Sequence, residues 1–188
     1  MDELSTLIIA GSLIPAISFL VKKFIVDKIF SGLENEISIK DVNGKIIKFT
    51  VNTNTSNEEI RDIFESELQF EETVERNLND FIRSHSKHKI QLSHGKNIDF
   101  LLHYNNKKIG IEAKANANRF KAKWISNYFK ENKDIDELII IINSKIPHDF
   151  IKEINNNDRI KFISSPKGKG LSKSINNVLE ADLKLNKT

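Results

Sequence analysis

The chain has 188 residues and a formal net charge of +3, with 29 lysines and arginines against 26 aspartates and glutamates. This length accommodates one ordinary domain with an appendage, and the weak positive charge excludes a strongly basic nucleic-acid coat protein. The absence of cysteine excludes disulfides, thiolate metal sites and a cysteine nucleophile, and it suits a cytoplasmic domain.

The first predicted element is a hydrophobic helix. Residues 4–21 carry no charged side chain, and such a run is at the short end of the length that spans a membrane. Acidic residues precede the run and Lys22, Lys23 and Lys28 follow it, so the positive-inside rule places the rest of the chain in the cytoplasm. We expect residues 1–30 to anchor the protein to a membrane; a buried or partner-binding helix is the alternative.

A β-hairpin is predicted next, over residues 34–53. Asn43-Gly44 lies between two apolar-rich runs, and Asn-Gly is a strong signal for a hairpin turn. Two strands alone are marginally stable in water, so this hairpin must pack on another part of the chain or on a partner. We expect it to act as an adaptor or spacer.

A long helix is predicted from about residue 58 to residue 84. Ser56 and Glu59 have the spacing of a capping box, which marks the start of a helix, and we expect a break near Gln69. The helix has a buried apolar stripe, formed by Phe70, Val74, Leu78, Phe81 and Ile82. Glu71 and Glu75 border this stripe, so each is a candidate for a functional acid, with Glu71 preferred and a solvated helix face as the alternative.

A short strand over residues 89–92 and a turn over 93–96 lead to a second hairpin at residues 97–115. Asn105-Asn106 can form a two-residue turn, since asparagine tolerates positive φ. With that turn, Asp99 faces Glu112, and Lys114 lies on the same side two residues further along. The reverse side is apolar and should face the core, with the pairs Ile98–Ala113, Phe100–Ile111 and Leu102–Ile109.

Two directly opposed carboxylates are unfavourable in a bare sheet, but a divalent cation between them reverses that cost. Magnesium takes oxygen ligands, usually one or two carboxylates with waters and phosphate oxygens. Lys114 could then position a water or neutralise a phosphate. The pattern favours a phosphodiesterase site; a solvated strand face with scattered charges is the alternative.

The remaining elements alternate between helix and strand. We predict a helix over 115–130, a buried strand over 137–143, a short helix after Pro147, a strand over 159–164 and a helix over 171–185. The stretch after Lys114 is the most basic of the chain, and a surface that contacts a nucleic-acid backbone has this composition; an ordinary lysine-rich helix face is the alternative. The candidate nucleic-acid-binding residues are Lys108, Arg119, Lys121 and Lys123.

Asp99 followed by Glu112-Ala113-Lys114 resembles the motif of the PD-(D/E)XK, or restriction-endonuclease-like, nuclease superfamily. The predicted order of helix, three strands, helix and strand is similar to the αβββαβ core of that superfamily. The run from Phe70 to Val74, FEETV, resembles the opening of its Mrr-like members. One departure is Ile98, which stands where the motif has proline.

The resemblance implies an α/β fold for residues 57–188, with a central mixed sheet flanked by helices. It also implies metal-dependent cleavage of DNA, less often RNA. Asp99, Glu112, Glu71 and the carbonyl of Ala113 would hold Mg²⁺ or Mn²⁺, Glu71 through a water or a second ion. Lys114 would orient the attacking water and stabilise the charge at phosphorus.

The same resemblance suggests a homodimer and a defence role against foreign DNA. No separate recognition domain is visible in the sequence, so a partner protein would supply specificity. Two alternatives remain open: a catalytically silent nuclease fold that binds DNA or assists assembly, and a membrane-tethered adaptor.

Overall fold

The structure is a computed structural model, and it describes most of the chain from residue 54 onwards together with three short N-terminal strands. The described residues are 6–8, 35–40, 46–51, 54–95, 98–120, 122–146, 148, 150, 151 and 157–185.

The N-terminal strands form a three-stranded sheet. Strand β1 (Thr6–Ile8) pairs in parallel with β2 (Asn35–Lys40), which pairs antiparallel with β3 (Ile46–Val51). The predicted hairpin is therefore confirmed, although its turn at Asn43-Gly44 lies outside the described residues. The third strand of this sheet, β1, was not predicted.

The hydrophobic helix predicted over 4–21 is wrong at Thr6–Ile8, because these residues are extended and hydrogen-bond to β2. The other residues of that run lie outside the described part of the chain, so a membrane anchor there stays a prediction. Within the ranges that the structure describes, no helix is both long enough and apolar enough to cross a membrane.

Helix α1 (Asn57–Ser84) begins at the predicted capping box. The Glu59 amide donates to Ser56 Oγ at 3.1 Å, and the Ser56 amide donates to Glu59 Oε2 at 2.7 Å. The break expected near Gln69 is absent, since the helix runs without interruption over 28 residues. The reason is packing: the apolar stripe continues past Gln69 through the buried side chains of Phe70 and Val74.

A five-stranded mixed sheet forms the centre of the domain, as the sequence predicts. Its strands lie side by side in chain order: β4 (Gln91–His94), β5 (Phe100–Tyr104), β6 (Lys107–Lys114), β7 (Glu137–Ile142) and β8 (Ile160–Ser164). Strands β4, β5 and β6 are antiparallel, whereas β6, β7 and β8 are parallel. The β5–β6 register confirms the predicted hairpin, with Tyr104 opposite Lys107 and Leu101 opposite Gly110.

Several element boundaries differ from the prediction. Ser93 and His94, which were predicted to lie in a turn, are the last two residues of β4. Strand β4 begins at Gln91, because a 3₁₀ turn over Ser86–His88 and a left-handed Lys89 (φ 51°) precede it. The helix expected from residue 115 is α2 (Ala122–Glu131), because a 3₁₀ turn over Ala117–Arg119 and an extended Phe120 come first.

Helices cover both faces of the five-stranded sheet. The last helix, α3 (Leu171–Asp182), contacts α1 and β8, and α1 also contacts β6. Their apolar side chains form one core with those of Phe100, Leu102 and Ile139. On the other face, α2 packs through Trp124, Ile125 and Tyr128 on the alternate side chains of β7.

Ile98 packs in the α2 core and not beside Phe100, so its predicted place on the face of Phe100 and Leu102 is wrong. Residues 98 and 99 form a bend before β5, and this bend interrupts the alternation of side chains. Ile98 fills the space above Gly110, where an added Cβ would lie 2.4 Å from Ile98 Cδ1.

We predict that Gly110→Ala destabilises the protein by about 1–2 kcal/mol, the cost of modest overpacking in a buried core. Adding Ile98→Val, which removes the clashing Cδ1, should recover part of that loss. Urea unfolding of the two single variants and the double variant measures the coupling. Strictly additive effects would contradict the contact between Ile98 and Gly110.

Candidate active site

The two predicted carboxylates meet where β5 begins and β6 ends. The Ala113 amide donates to Asp99 Oδ2 at 2.8 Å, and the Asp99 amide donates to Glu112 Oε2 at 3.3 Å. Both side chains are buried, Asp99 with 2% and Glu112 with 4% exposure. The hairpin register thus brings the two acids together, each held by a backbone amide of the opposite strand.

Lys114 places its ammonium group between these two acids. Its Nζ lies 2.7 Å from Glu112 Oε1 and 3.9 Å from Asp99 Oδ2, and its side chain is 2% exposed. Burial disfavours the charge, but Glu112, Asp99, Glu67 and Glu71 outweigh burial and raise the pKa of Lys114 above its ordinary value. Lys114 is therefore a fixed cation that is paired with both acids, and it does not serve as a base in this arrangement.

Helix α1 contributes two buried glutamates to the same place. Glu67 and Glu71 are each 1% exposed and are spaced by one helical turn. The Ala115 amide donates to Glu67 Oε2 at 2.9 Å, which fixes the chain just after β6. Burial raises the pKa of Glu67, while the charge of Lys114 and the Ala115 amide lower it.

Helix α2 contributes Tyr128. Its hydroxyl donates to Glu112 Oε1 at 2.5 Å, and the side chain is 3% exposed. Burial, followed by the negative charge of Glu112, raises the pKa of Tyr128 well above its ordinary value. The hydroxyl consequently stays protonated and can only donate to Glu112.

The described residues of the cluster include more carboxyl groups than cationic groups. In the part of the chain that the structure describes, four buried carboxyl groups act on the ammonium group of Lys114, those of Glu67, Glu71, Asp99 and Glu112. Burial and the charge of Asp99 raise the pKa of Glu112 to about 7, although Lys114 and Tyr128 oppose the shift. A site with this imbalance favours a further cation or a proton.

The raised pKa predicts a pH dependence of stability. A carboxyl whose pKa rises from 4.5 to about 7 on folding stabilises the fold below pH 4.5, and this contribution is lost as the pH rises through 7. This carboxyl should lower the free energy of unfolding by roughly 3 kcal/mol as the pH rises from 4.5 to above about 7, and Glu112→Gln should remove that decrease. Urea unfolding at several pH values tests this, with the exposed Glu72→Gln as control; identical slopes in wild type and Glu112→Gln would contradict it.

The donor chemistry of the cluster suits Mg²⁺ or Mn²⁺, which prefer carboxylate oxygens. The geometry is closed, however. Among the described residues, no three histidine, aspartate or glutamate side chains are arranged to hold an ion together. Glu112 accepts from Tyr128 and from the Asp99 amide, and Lys114 Nζ forms an ion pair with it at 2.7 Å. Asp99, Glu112, Glu67 and Glu71 are the residues that would hold an ion once these contacts rearrange.

The backbone of Ala113 is also part of this site. The Ala113 amide donates to Asp99 Oδ2, and Ala113 pairs with Ile141 of β7 in the sheet. Binding of an ion by the Ala113 carbonyl stays a prediction.

The reserve acid, Glu75, lies farther out on α1. Its side chain is 38% exposed, and Glu75 Oε1 lies 3.3 Å from His94 Nε2. The other ring nitrogen of His94 lies 3.3 Å from the Asp99 carbonyl oxygen. His94 and Glu75 therefore brace the backbone at Asp99 from the surface, while Glu71 is the acid inside the cluster.

Of the four predicted nucleic-acid contacts, the structure describes the side chain of Lys108, which lies away from the cluster; the other three stay predictions. Lys108 is bonded to Asp134 through its ammonium group, and it lies six residues from Lys114 on β6, roughly 20 Å along the strand. Arg119 closes the 3₁₀ turn, but its side chain lies outside the described residues, as do Lys121 and the side chain of Lys123.

Sequence reasoning missed Glu67 and Tyr128. Glu67 precedes Glu71 by four residues, a spacing that places both on one helix face, and this signal could have found it. Tyr128 follows Phe120 and Trp124 at intervals of four, so the pattern indicated a core position only. No signal in the sequence distinguishes a core tyrosine from one that donates to a carboxylate.

Neither a protein-family model nor a curated protein matches this sequence.

Proposed function

We propose that the protein is a metal-dependent nuclease that hydrolyses phosphodiester bonds, with DNA as the expected substrate. The observation that carries the proposal is the buried cluster of Asp99, Glu112 and Lys114 at adjoining strand ends. The order in the sequence, Asp99 followed by Glu112-Ala113-Lys114, resembles the PD-(D/E)XK motif. The mixed sheet flanked by helices is compatible with the fold that the resemblance implies.

Each residue has a role that follows from its charge. Asp99 and Glu112 would hold the ion, since both present carboxylate oxygens at one point. Glu67 and Glu71 add negative charge from α1 and would hold a water molecule of the ion or a second ion. Lys114, a fixed cation, would donate to the attacking water or to a phosphate oxygen and stabilise negative charge that develops at phosphorus.

The ion, when bound, would lower the pKa of a water molecule and neutralise charge on the phosphate. In the hydrolysis, a water oxygen forms a bond to phosphorus while the bond from phosphorus to one sugar oxygen, a deoxyribose oxygen in DNA, breaks. That oxygen leaves with a proton, and the phosphate remains on the other product. Lys114 supplies positive charge to this step without losing its own proton.

One observation favours a second candidate, a catalytically silent nuclease fold. The cluster residues are only 1–4% exposed, and a phosphodiester must reach them for hydrolysis. In the silent alternative, Lys114 replaces the ion permanently and the cluster is purely structural. The intact set of Asp99, Glu112 and Lys114 favours the active enzyme, because an apolar core serves stability at least as well as buried charges.

The proposal is tested with the purified full chain on supercoiled plasmid, single-stranded DNA and RNA. Each substrate is incubated with Mg²⁺, Mn²⁺ or EDTA, beside Glu112→Gln prepared identically. Cleavage that requires the metal and is lost in Glu112→Gln supports the nuclease and identifies its substrate. Equal cleavage by both preparations indicates a contaminant, and no cleavage under any condition favours the silent fold.

A further inference from the structure

Glu112 Oε1 accepts a hydrogen bond from Tyr128 and forms an ion pair with Lys114. Tyr128 donates its hydroxyl at 2.5 Å, and Lys114 Nζ lies 2.7 Å away. A carboxylate oxygen offers about two lone-pair directions; the Tyr128 hydroxyl takes one of them, and the ammonium group of Lys114 lies against the same oxygen. Its partner, Oε2, accepts from the Asp99 amide at 3.3 Å. An ion that uses Glu112 Oε1 therefore competes with the Tyr128 hydroxyl and is repelled by the charge of Lys114.

Tyr128 is the donor that belongs to a separate structural unit. Lys114 lies on the same strand as Glu112, whereas Tyr128 comes from α2 on one face of the sheet. The ring of Tyr128 stacks on Phe120, with centroids 6.4 Å apart and planes 8° from parallel. Phe120 in turn contacts Trp124 and Phe150. The position of the hydroxyl is thus fixed by the packing of α2.

We propose that Tyr128 is a positioning residue that holds Glu112 in a closed state, and that ion binding requires its hydroxyl to leave Glu112 Oε1. This inference rests on the proposed function, because it concerns the ion of the same site. It makes α2 the element that regulates access: the cluster is closed while Tyr128 is seated and opens when α2 shifts or the side chain rotates. The closed geometry is then a resting state.

The test is Mn²⁺ binding to the full chain at pH 8, measured by isothermal titration calorimetry. Tyr128→Phe removes only the hydroxyl and keeps the ring that stacks on Phe120. A hydrogen bond to a charged acceptor contributes enough that its loss should tighten Mn²⁺ binding about tenfold. Tyr104→Phe is the matched control, since the Tyr104 hydroxyl lies 3.4 Å from His88 Nδ1, away from the cluster; its affinity should equal that of wild type.

Unchanged or weaker binding in Tyr128→Phe would overturn the inference. General damage to the fold weakens binding, so a gain in affinity cannot come from a merely structural role. Tyr128→Met, which also lacks the hydroxyl, gives the same readout if the phenylalanine variant is poorly soluble.

Asp99→Asn distinguishes failure of the inference about Tyr128 from failure of the proposed function. If wild type binds Mn²⁺ through Asp99, as judged by loss in Asp99→Asn, but Tyr128→Phe binds no tighter, only the inference fails. If neither wild type nor Tyr128→Phe binds Mn²⁺ in an Asp99-dependent manner, the proposed function fails and the inference fails with it.

Discussion

Lys114→Met should lower the free energy of unfolding by about 3–5 kcal/mol at pH 8, the usual cost of removing one partner from a buried ion pair. The ammonium group lies 2.7 Å from Glu112 Oε1 and is 2% exposed. Without it, the carboxylates of Asp99 and Glu112 face each other in a buried site with no compensating charge. Urea unfolding followed by circular dichroism measures the loss.

Two further variants make that result specific. Lys133→Met removes an exposed lysine and should change stability by less than about 0.5 kcal/mol. Adding Glu112→Gln to Lys114→Met removes one of the uncompensated charges and should restore part of the lost stability. A loss below about 1 kcal/mol in Lys114→Met would mean that the buried pair does not have the strength its geometry indicates.

Asp99→Asn should lower the rate of metal-dependent cleavage roughly a thousandfold, because a bound ion contributes several kcal/mol to stabilising charge in the transition state. An asparagine oxygen can still accept from the Ala113 amide, which donates to Asp99 Oδ2 at 2.8 Å. The fold should therefore persist while the negative charge is lost. Single-turnover cleavage of the substrate that wild type prefers gives the rate.

Asp80→Asn is the matched control for this substitution. Its side chain is 60% exposed on α1 and pairs with Arg83 at 3.4 Å, away from the cluster. Its cleavage rate should stay within about twofold of wild type. Equal rates for Asp99→Asn and wild type would remove Asp99 from the catalytic group.

Much of the fold could be predicted because local signals agree with one another. Ser56 and Glu59 form a capping box, and the five consecutive apolar residues before Asn143 form a strand covered on both faces. The Asn105-Asn106 turn sets the β5–β6 register, so the approach of Asp99 to Glu112 followed from counting residues. Each of these features depends on neighbours in sequence or on a single hairpin.

The features that sequence reasoning missed depend on contacts between distant elements. Ile98 leaves its expected face because Gly110 provides a space that only the folded sheet creates. Tyr128 reaches Glu112 only because α2 packs on the face of the sheet that Glu112 shares with Ile140 of β7. The pairing of β1 with β2 likewise joins residues about 30 positions apart, and no periodicity indicates it.

Mn²⁺ binding measured by electron paramagnetic resonance tests whether the cluster of Asp99, Glu112 and Lys114 is the divalent-ion site that we propose. We predict one saturable ion per chain in wild type, lost in Asp99→Asn/Glu112→Gln and retained in Asp80→Asn. Equal binding by all three proteins, or none by wild type, would contradict the claim and leave the cluster a structural ion pair.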